Sequence, residues 1–243
     1  MPVPRFYCPG PLAAGATIDL PEAVAHHALR VLRLRPGEAI ALFDGTGGEY
    51  PARLAVEGKT ARAALGEFDP REAEPPTRIT LVQGLPGGDK MDWIVEKAVE
   101  LGAHRIVPVA ARRSVLQLSG ARLDKRLDHW RRVARAACEQ CGRNRLPQVD
   151  APLSLADWLA TAQGPQLLCD PAAEAGLPTA LAALAPADGL TLLVGPEGGW
   201  SDEELESARR HGARPVRLGD RVLRTETAGL ALLAAAGALL GWY

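Results

Sequence analysis

The chain has 243 residues, 47% of them hydrophobic and 23% charged, and a formal net charge of -1. That length supports one large core or two small ones. The near-neutral balance excludes a globally basic or membrane-seeking protein, so any basic surface must be local.

The N-terminal stretch MPVPRFYCPGPL has no apolar core of the kind a signal peptide needs, so a cytoplasmic protein is expected. The run PEAVAHHALRVLRLRPG reads as a short helix closed by Pro36 and Gly37. EAIALFDG and EYPARLAVEG read as strands joined by a GTGG turn, with KTARAALGEF as a third strand after a further glycine. Residues 1–70 are therefore expected to form a small, barrel-like β module. The charged, proline-rich segment DPREAEPP at 69–76 is read as the boundary of a second domain, residues 71–243.

From Arg78 the pattern alternates. RITLVQG is a strand. DKMDWIVEKAVELG is a helix with Met91, Ile94, Val95, Ala98 and Leu101 on one stripe and Gly102 at its stop. HRIVPV is a strand, 122–141 a long helix, and QLLC, LTLLVG and ARPVRL are short apolar strands with helices between them. The last helix starts near Thr225, and its run AGLALLAAAGALLG is apolar nearly all round but falls short of the roughly 20 residues that span a bilayer. Strands alternating with helices predict an α/β fold with a parallel sheet covered on both faces.

The phosphate-loop and dinucleotide glycine signatures are absent; GLPGGDKM has only a passing likeness to the first. Two late loops stand out instead, GPEGG (195–199) after LTLLV and LGDRVLRTETA (218–228) after ARPVR. In an open α/β sheet, ligands sit beyond the carboxyl ends of the strands, and glycines let the main chain approach a flat ligand. Ser201 and Glu204 make a capping box for the helix after GPEGG, so Glu197 is not needed as a cap. Thr225 and Thr227 are both suitable N-caps of the last helix. Arg221 and Arg224 stand just before it, where the helix dipole already favours anions.

Between Arg112 and Arg145 there are ten basic side chains and three acidic ones. Such a one-sided excess is the footprint of a phosphate backbone. CEQCGRNR (138–145) contains a C-x-x-C, but no second ligand pair supports zinc, and Cys138 and Cys141 continue the apolar stripe of Leu123, Leu127, Trp130, Ala134 and Ala137. All four cysteines (Cys8, Cys138, Cys141 and Cys169) are expected to be reduced, the last two of the motif as core thiols. Glu139, Gln140, Arg143 and Asn144 are left as polar groups that face a ligand or RNA. No metal site is expected. His26 and His27 lie near Arg30 and Arg33 in the N-terminal module, and the other histidines are isolated.

RFY, HALRVLRLRPGE with LFDG, KMDWIVEKAVELG, ACEQCGRNRLP, LLVGPEGGWSDEE and LGDRVLRTETA, in this order over nearly the whole chain, resemble the RsmE family of bacterial SPOUT methyltransferases. The resemblance implies a PUA-like β-barrel before a trefoil-knotted parallel-sheet domain, a homodimer, and S-adenosylmethionine as cofactor. It also implies methylation of N3 of one uridine, position 1498 of 16S ribosomal RNA, in the small ribosomal subunit. Carried onto this chain, it implies that Val194, Gly195, Pro196, Gly198, Gly199, Leu218, Gly219, Val222, Leu223 and Thr225 hold the cofactor, with Val82 to Gly84 as a further wall. Glu197 is expected to act as the base or to orient the site, and Arg224 to steady negative charge on the uracil. Arg5, Arg30, Arg33, Arg113, Arg131, Arg132, Arg143 and Arg145 are expected to hold RNA. Two alternatives stay open: a SPOUT methyltransferase acting on another rRNA or tRNA nucleotide, and a non-catalytic RNA-binding protein.

Overall fold

The computed structural model describes residues 3–58, 60–116, 118–183 and 189–242. The chain forms two compact units, one of residues 1–74 with 138–146, the other of residues 75–137 with 147–243.

The first unit begins with β1 (Arg5–Tyr7), β2 (Thr17–Asp19) and α1 (Glu22–His26), which runs into a single π-helical turn at His27–Val31. Strands β3 (Ala39–Phe43), β4 (Tyr50–Glu57) and β5 (Thr60–Leu65) follow. The five strands pair in the order β1-β3-β4-β5-β2, antiparallel except for β1 beside β3. Phe6, Ile40, Leu42, Leu54 and Ala63 fill the core, and Val24 and Ala28 cover it from the helical segment. The alternation along β4 is the expected signature of a strand with one buried face.

The second unit begins at β6 (Ile79–Gly84), α2 (Lys90–Glu100), β7 (Ala103–Val109) and α3 (Gly120–Cys141). It continues through β8 (Gln148–Val149), α4 (Leu155–Thr161), β9 (Gln166–Cys169), α5 (Leu177–Ala182) and β10 (Leu190–Val194). It ends with α6 (Asp202–Arg210), β11 (Arg214–Val216) and α7 (Thr225–Leu239). Six strands make one parallel sheet in the order β11-β9-β10-β6-β7-β8. Every residue of β10 is buried, because helices cover both faces of a parallel sheet. Gly102, at φ +86°, ends α2 where the sequence places its stop. The long apolar helix α7 buries Ala228, Gly229, Leu232, Leu233, Ala236 and Gly237 along one stripe and leaves Leu239 half exposed, so within the chain it is not buried all round.

The division differs from a single break after residue 70. The N-terminal unit runs to Glu74 and takes in the segment 138–146. The reason is a set of polar contacts that sequence distance hides. Arg143 is 3% exposed and forms an ion pair with Glu74, Nη2 to Oε2 at 2.5 Å. Arg5 donates to Glu49, to the Arg143 carbonyl and to Asn144 Oδ1, while Asn144 Nδ2 donates to the Arg71 carbonyl at 2.7 Å. Glu139 accepts from the Tyr7 N–H at 2.8 Å. These groups stitch CEQCGRNR to the strands of the first unit. That corrects the expectation that Arg5, Glu139, Arg143 and Asn144 face RNA or a ligand: their polar atoms are used internally. The Cys138 thiol is buried, with its pKa pushed up to about 12 by desolvation, which fits a core thiol rather than a redox or metal group.

Removing one partner of a buried ion pair strands the other charge. Glu74→Ala is expected to destabilise the first unit by about 3–5 kcal/mol. Arg145→Ala, at an exposed pair with Glu72, is expected to cost at most about 1 kcal/mol. Hydrogen exchange of the β3–β5 amides in urea measures both.

Candidate active site

The carboxyl ends of β6, β9 and β10 meet the approach to α7, and a cavity of about 530 Å³ opens there. It is lined by Lys90, Cys169, Asp170, Pro171, Val194, Gly195, Pro196, Glu197, Gly199, Trp200, Leu205, Val222, Leu223, Arg224, Thr225 and Ala228.

Glycine is required at the end of β6, and a larger residue would be tight at the first position after β10. A Cβ on Gly84 would lie 2.5 Å from Pro196 Cδ and 2.6 Å from Pro196 N, and one on Gly195 would lie 3.1 Å from Trp200 N. The end of β6 and the loop after β10 therefore pack closely against each other, and that loop folds back on itself. The loop then turns at Gly199, φ +67°, and enters α6 through the capping box read from the sequence. Ser201 Oγ accepts from Glu204 N–H, and Glu204 Oε2 accepts from Ser201 N–H.

Thr225 is not an N-cap. It is the first residue of α7, Arg224 holds the cap position, and no side chain caps the helix. The Thr225 hydroxyl instead donates to the Gly195 carbonyl at 2.6 Å and accepts from Gln83 Nε2 at 2.8 Å, and Gln83 is fully buried. One hydroxyl thus joins β6, the loop after β10 and the start of α7. A Cβ on Gly229 would stand 3.0 Å from Gln83 Oε1, so the small residue leaves room for that amide.

Of the residues expected to hold a cofactor, Val194, Gly195, Pro196, Gly199, Val222, Leu223 and Thr225 line the cavity. Gly198 does not; its missing Cβ would meet Arg113 Cβ at 2.9 Å, and Arg113 Nη1 donates to the Gly198 and Trp200 carbonyls. Gly198 is thus packed against Arg113, and Arg113, though exposed, braces the loop. Leu218 and Gly219 are off the cavity as well. Gly219, at φ +74°, turns the chain there, and the segment reaches the wall only from Val222.

Glu197 and Arg224 both line the cavity. Glu197 is not free: Lys90 Nζ donates to its Oε1 at 2.8 Å and Gly87 N–H at 3.0 Å. Burial pushes the Glu197 pKa up, but the Lys90 hydrogen bond, its own backbone N–H and Gly87 together hold it below the usual carboxylate value. Lys90 is held above its usual value, chiefly by its hydrogen bond to Glu197.

Lys90, Cys169, Asp170, Trp200 and Leu205 were not singled out from the sequence. Extending the strand-end argument to QLLCDP would have found Cys169 and Asp170. Asp170 is buried, accepts from Ala172 N–H at 2.9 Å and pairs with Arg209. Trp200 lines the cavity from the buried cluster it shares with Val82, Val107 and Leu193. Arg30, Arg33, Arg131 and Arg132 are exposed, Arg33 at φ +56°. Among the described residues no group of three metal-ligating side chains occurs, and no helix is long and apolar enough to cross a membrane.

A parallel sheet with a glycine-built cavity at its strand ends, walled by the lead-in to the last helix, defines a SPOUT-class RNA methyltransferase with a PUA domain at its N-terminus. The model of an RNA methyltransferase domain matches residues 73–237, and that of an RNA methyltransferase PUA domain matches residues 20–61. The chain is 36% identical to ribosomal RNA small subunit methyltransferase E of Synechocystis over 93% of this chain and 74% of the relative. It is 38% identical to the protein of that name from Mycobacterium tuberculosis, over 88% of this chain and 83% of the relative. The crystal structure of ribosomal RNA small subunit methyltransferase E from Neisseria gonorrhoeae, bound to S-adenosyl methionine, superposes with a TM-score of 0.90 at 39% identity, covering 98% of each chain. The chain belongs to the ribosomal RNA small subunit methyltransferase E family.

Thr225→Val keeps the shape but removes the donor to the Gly195 carbonyl and one of the two acceptors of the buried Gln83 amide, the Gly84 carbonyl at 3.0 Å remaining. It is expected to cost about 1–3 kcal/mol of stability and to weaken binding in the cavity. Thermal unfolding and calorimetry with S-adenosylmethionine, on this variant and the wild type, measure the two effects.

Proposed function

We propose that this protein transfers a methyl group from S-adenosylmethionine to N3 of a uridine in small-subunit ribosomal RNA, the position numbered 1498. The observation that carries the reading is the placement of Glu197 and Arg224 together on the wall of the cavity that the GPEGG loop and the lead-in to α7 enclose. The cavity fits the cofactor: its walls are apolar at Val194, Val222, Leu223 and Leu205, with Asp170 and Glu197 as polar groups on the same lining. These residues, with Gly195, Pro196, Gly199 and Thr225, hold the cofactor. When bound, S-adenosylmethionine supplies an electrophilic methyl on a positively charged sulfur, which keeps the electron pair of the broken bond.

Uracil N3 carries a proton and becomes a good nucleophile only as that proton leaves. Glu197, ionised, accepts from N3–H and takes the proton. Arg224, exposed at the cavity, steadies the negative charge spread onto the uracil oxygens. N3 lies on the pairing edge, so the uridine is unpaired or turned out of its stack when it enters. Arg131 and Arg132 on α3, and Arg30 and Arg33 in the first unit, hold the surrounding phosphates. Leu239 and the outer alanines of α7 pair with a second copy of the chain, and the protein works in the cytoplasm.

Three measurements test the reading. Mapping methylated nucleotides on rRNA and tRNA from a deletion strain decides the substrate; loss of a tRNA methyl group with the rRNA intact would move the assignment to another SPOUT activity. Glu197→Gln is expected to bind S-adenosylmethionine as the wild type does and to lose methylation on the order of 100-fold in single turnover; near-normal turnover would make the carboxylate structural. Arg131→Ala with Arg132→Ala is expected to weaken RNA binding and to flatten the slope of log K against log salt by up to roughly one unit per lost phosphate contact, leaving cofactor affinity unchanged.

A further inference from the structure

Three segments distant in sequence converge on one ammonium group. Lys90 opens α2, Glu197 lies in the loop after β10, and Glu226 is the second residue of α7. Lys90 Nζ is 2.8 Å from Glu197 Oε1 and 3.6 Å from Glu226 Oε2. Glu226 Oε2 is buried and accepts no hydrogen bond, so the nearby ammonium is what offsets its charge. The three side chains are only partly exposed, at 33%, 33% and 22%, which leaves their interaction less screened than a surface pair.

The other charged groups around Glu197 are engaged elsewhere or set back. Asp170 at the end of β9 pairs with Arg209 of α6, Asp89 beside Lys90 pairs with Arg126 of α3, and Arg113 is tied to the Gly198 and Trp200 carbonyls. Arg224 lines the cavity ahead of α7, and the ion pair of Glu197 is with Lys90.

We infer that Lys90 is a positioning residue for methyl transfer: it holds the Glu197 carboxylate at the cavity wall as an anion and follows the negative charge to the uracil when the N3 proton crosses, while Glu226 keeps the ammonium in place. The inference rests on the reading of Glu197 as the group that faces uracil N3. In the proton step the N3–H bond breaks, the proton bonds to a Glu197 oxygen, and the electron pair stays on N3 for the methyl group. The charge that Glu197 gives up reappears on the uracil. An ammonium that pairs with either anion lowers the cost of that exchange, because the ion pair changes partner rather than being lost. The second carboxylate matters at that moment. Once Glu197 is neutral, Glu226 is the protein anion left beside Lys90.

The test reads Glu197 directly. Protein labelled with carbon-13 at the glutamate side-chain carboxyls is titrated by NMR, with the Glu197 signal assigned by its disappearance in Glu197→Gln. Removing the cation should raise the Glu197 midpoint, so Lys90→Met is expected to shift it upward by on the order of one pH unit and Lys90→Arg to restore most of it. Lys90→Gln serves as a second neutral variant, and circular dichroism with cofactor calorimetry shows that each variant is folded. On small-subunit rRNA, the acid limb of the single-turnover rate should move upward with the NMR midpoint in Lys90→Met and return in Lys90→Arg. A Glu197 midpoint unchanged in the neutral variants, or a rate lowered by one factor at every pH, overturns the inference. A wild-type protein that methylates no RNA removes the proposed function instead, and the NMR titration then decides whether Lys90 sets the charge of Glu197.

Discussion

The hydroxyl of Thr225 holds the cavity together. It donates to the Gly195 carbonyl and accepts from the fully buried Gln83 amide, so its two bonds fix three segments that the chain visits at residues 83, 195 and 225. Opening the join strips the Gly195 carbonyl of this donor and leaves the Gln83 amide with the Gly84 carbonyl alone, and a buried polar group that loses a partner costs more than a typical hydrogen bond contributes. The rest of the site follows from it. With α7 anchored at its first residue, Arg224 stands at the cavity and Glu226 is brought beside Lys90. With the Gly195 carbonyl tied down, the loop passes so close to β6 that only glycine fits at position 84.

The loop itself is braced from its other side. Arg113 reaches across Gly198 to two carbonyls, and the capping box at Ser201 and Glu204 fixes where α6 begins. Glu197 is therefore presented from a segment whose main chain is secured at several points, and its carboxylate is oriented by Gly87 and Lys90. Rigid presentation is what a displacement reaction needs, since most of the help a protein gives such a step is correct placement.

The basic stretch around α3 divides in two. Arg131 and Arg132 remain on the surface, where a phosphate backbone can reach them. Arg143 is drawn inside by Glu74, and outside this stretch Arg5 is held in the same way by Glu49 and Asn144. Counting charges along the chain treats these arginines alike, but an arginine buried against a carboxylate adds nothing to the field outside.

Much of the architecture is legible in the sequence. The run LTLLV announces a strand buried on both faces, the stripe from Met91 to Ala98 a helix on a sheet, and Ser201 with Glu204 a helix start, because each signal comes from neighbours within one or two turns. The two loops that bear the cavity are legible too, from glycines at strand ends. Tertiary structure alone decided what those local signals leave open. Thr225 has the composition of a cap, but the nearness of Gln83 and Gly195 gives its hydroxyl better partners. Glu197 looks unengaged along the chain, but folding brings Lys90 and Gly87 to it from more than a hundred residues away. CEQCGRNR is part of a helix and turn in sequence, but its polar groups are satisfied by the N-terminal strands and the segment up to Glu74. Local pattern depends on the spacing of residues along the chain, whereas the state of a buried polar group depends on which distant group folding places within about 3 Å of it.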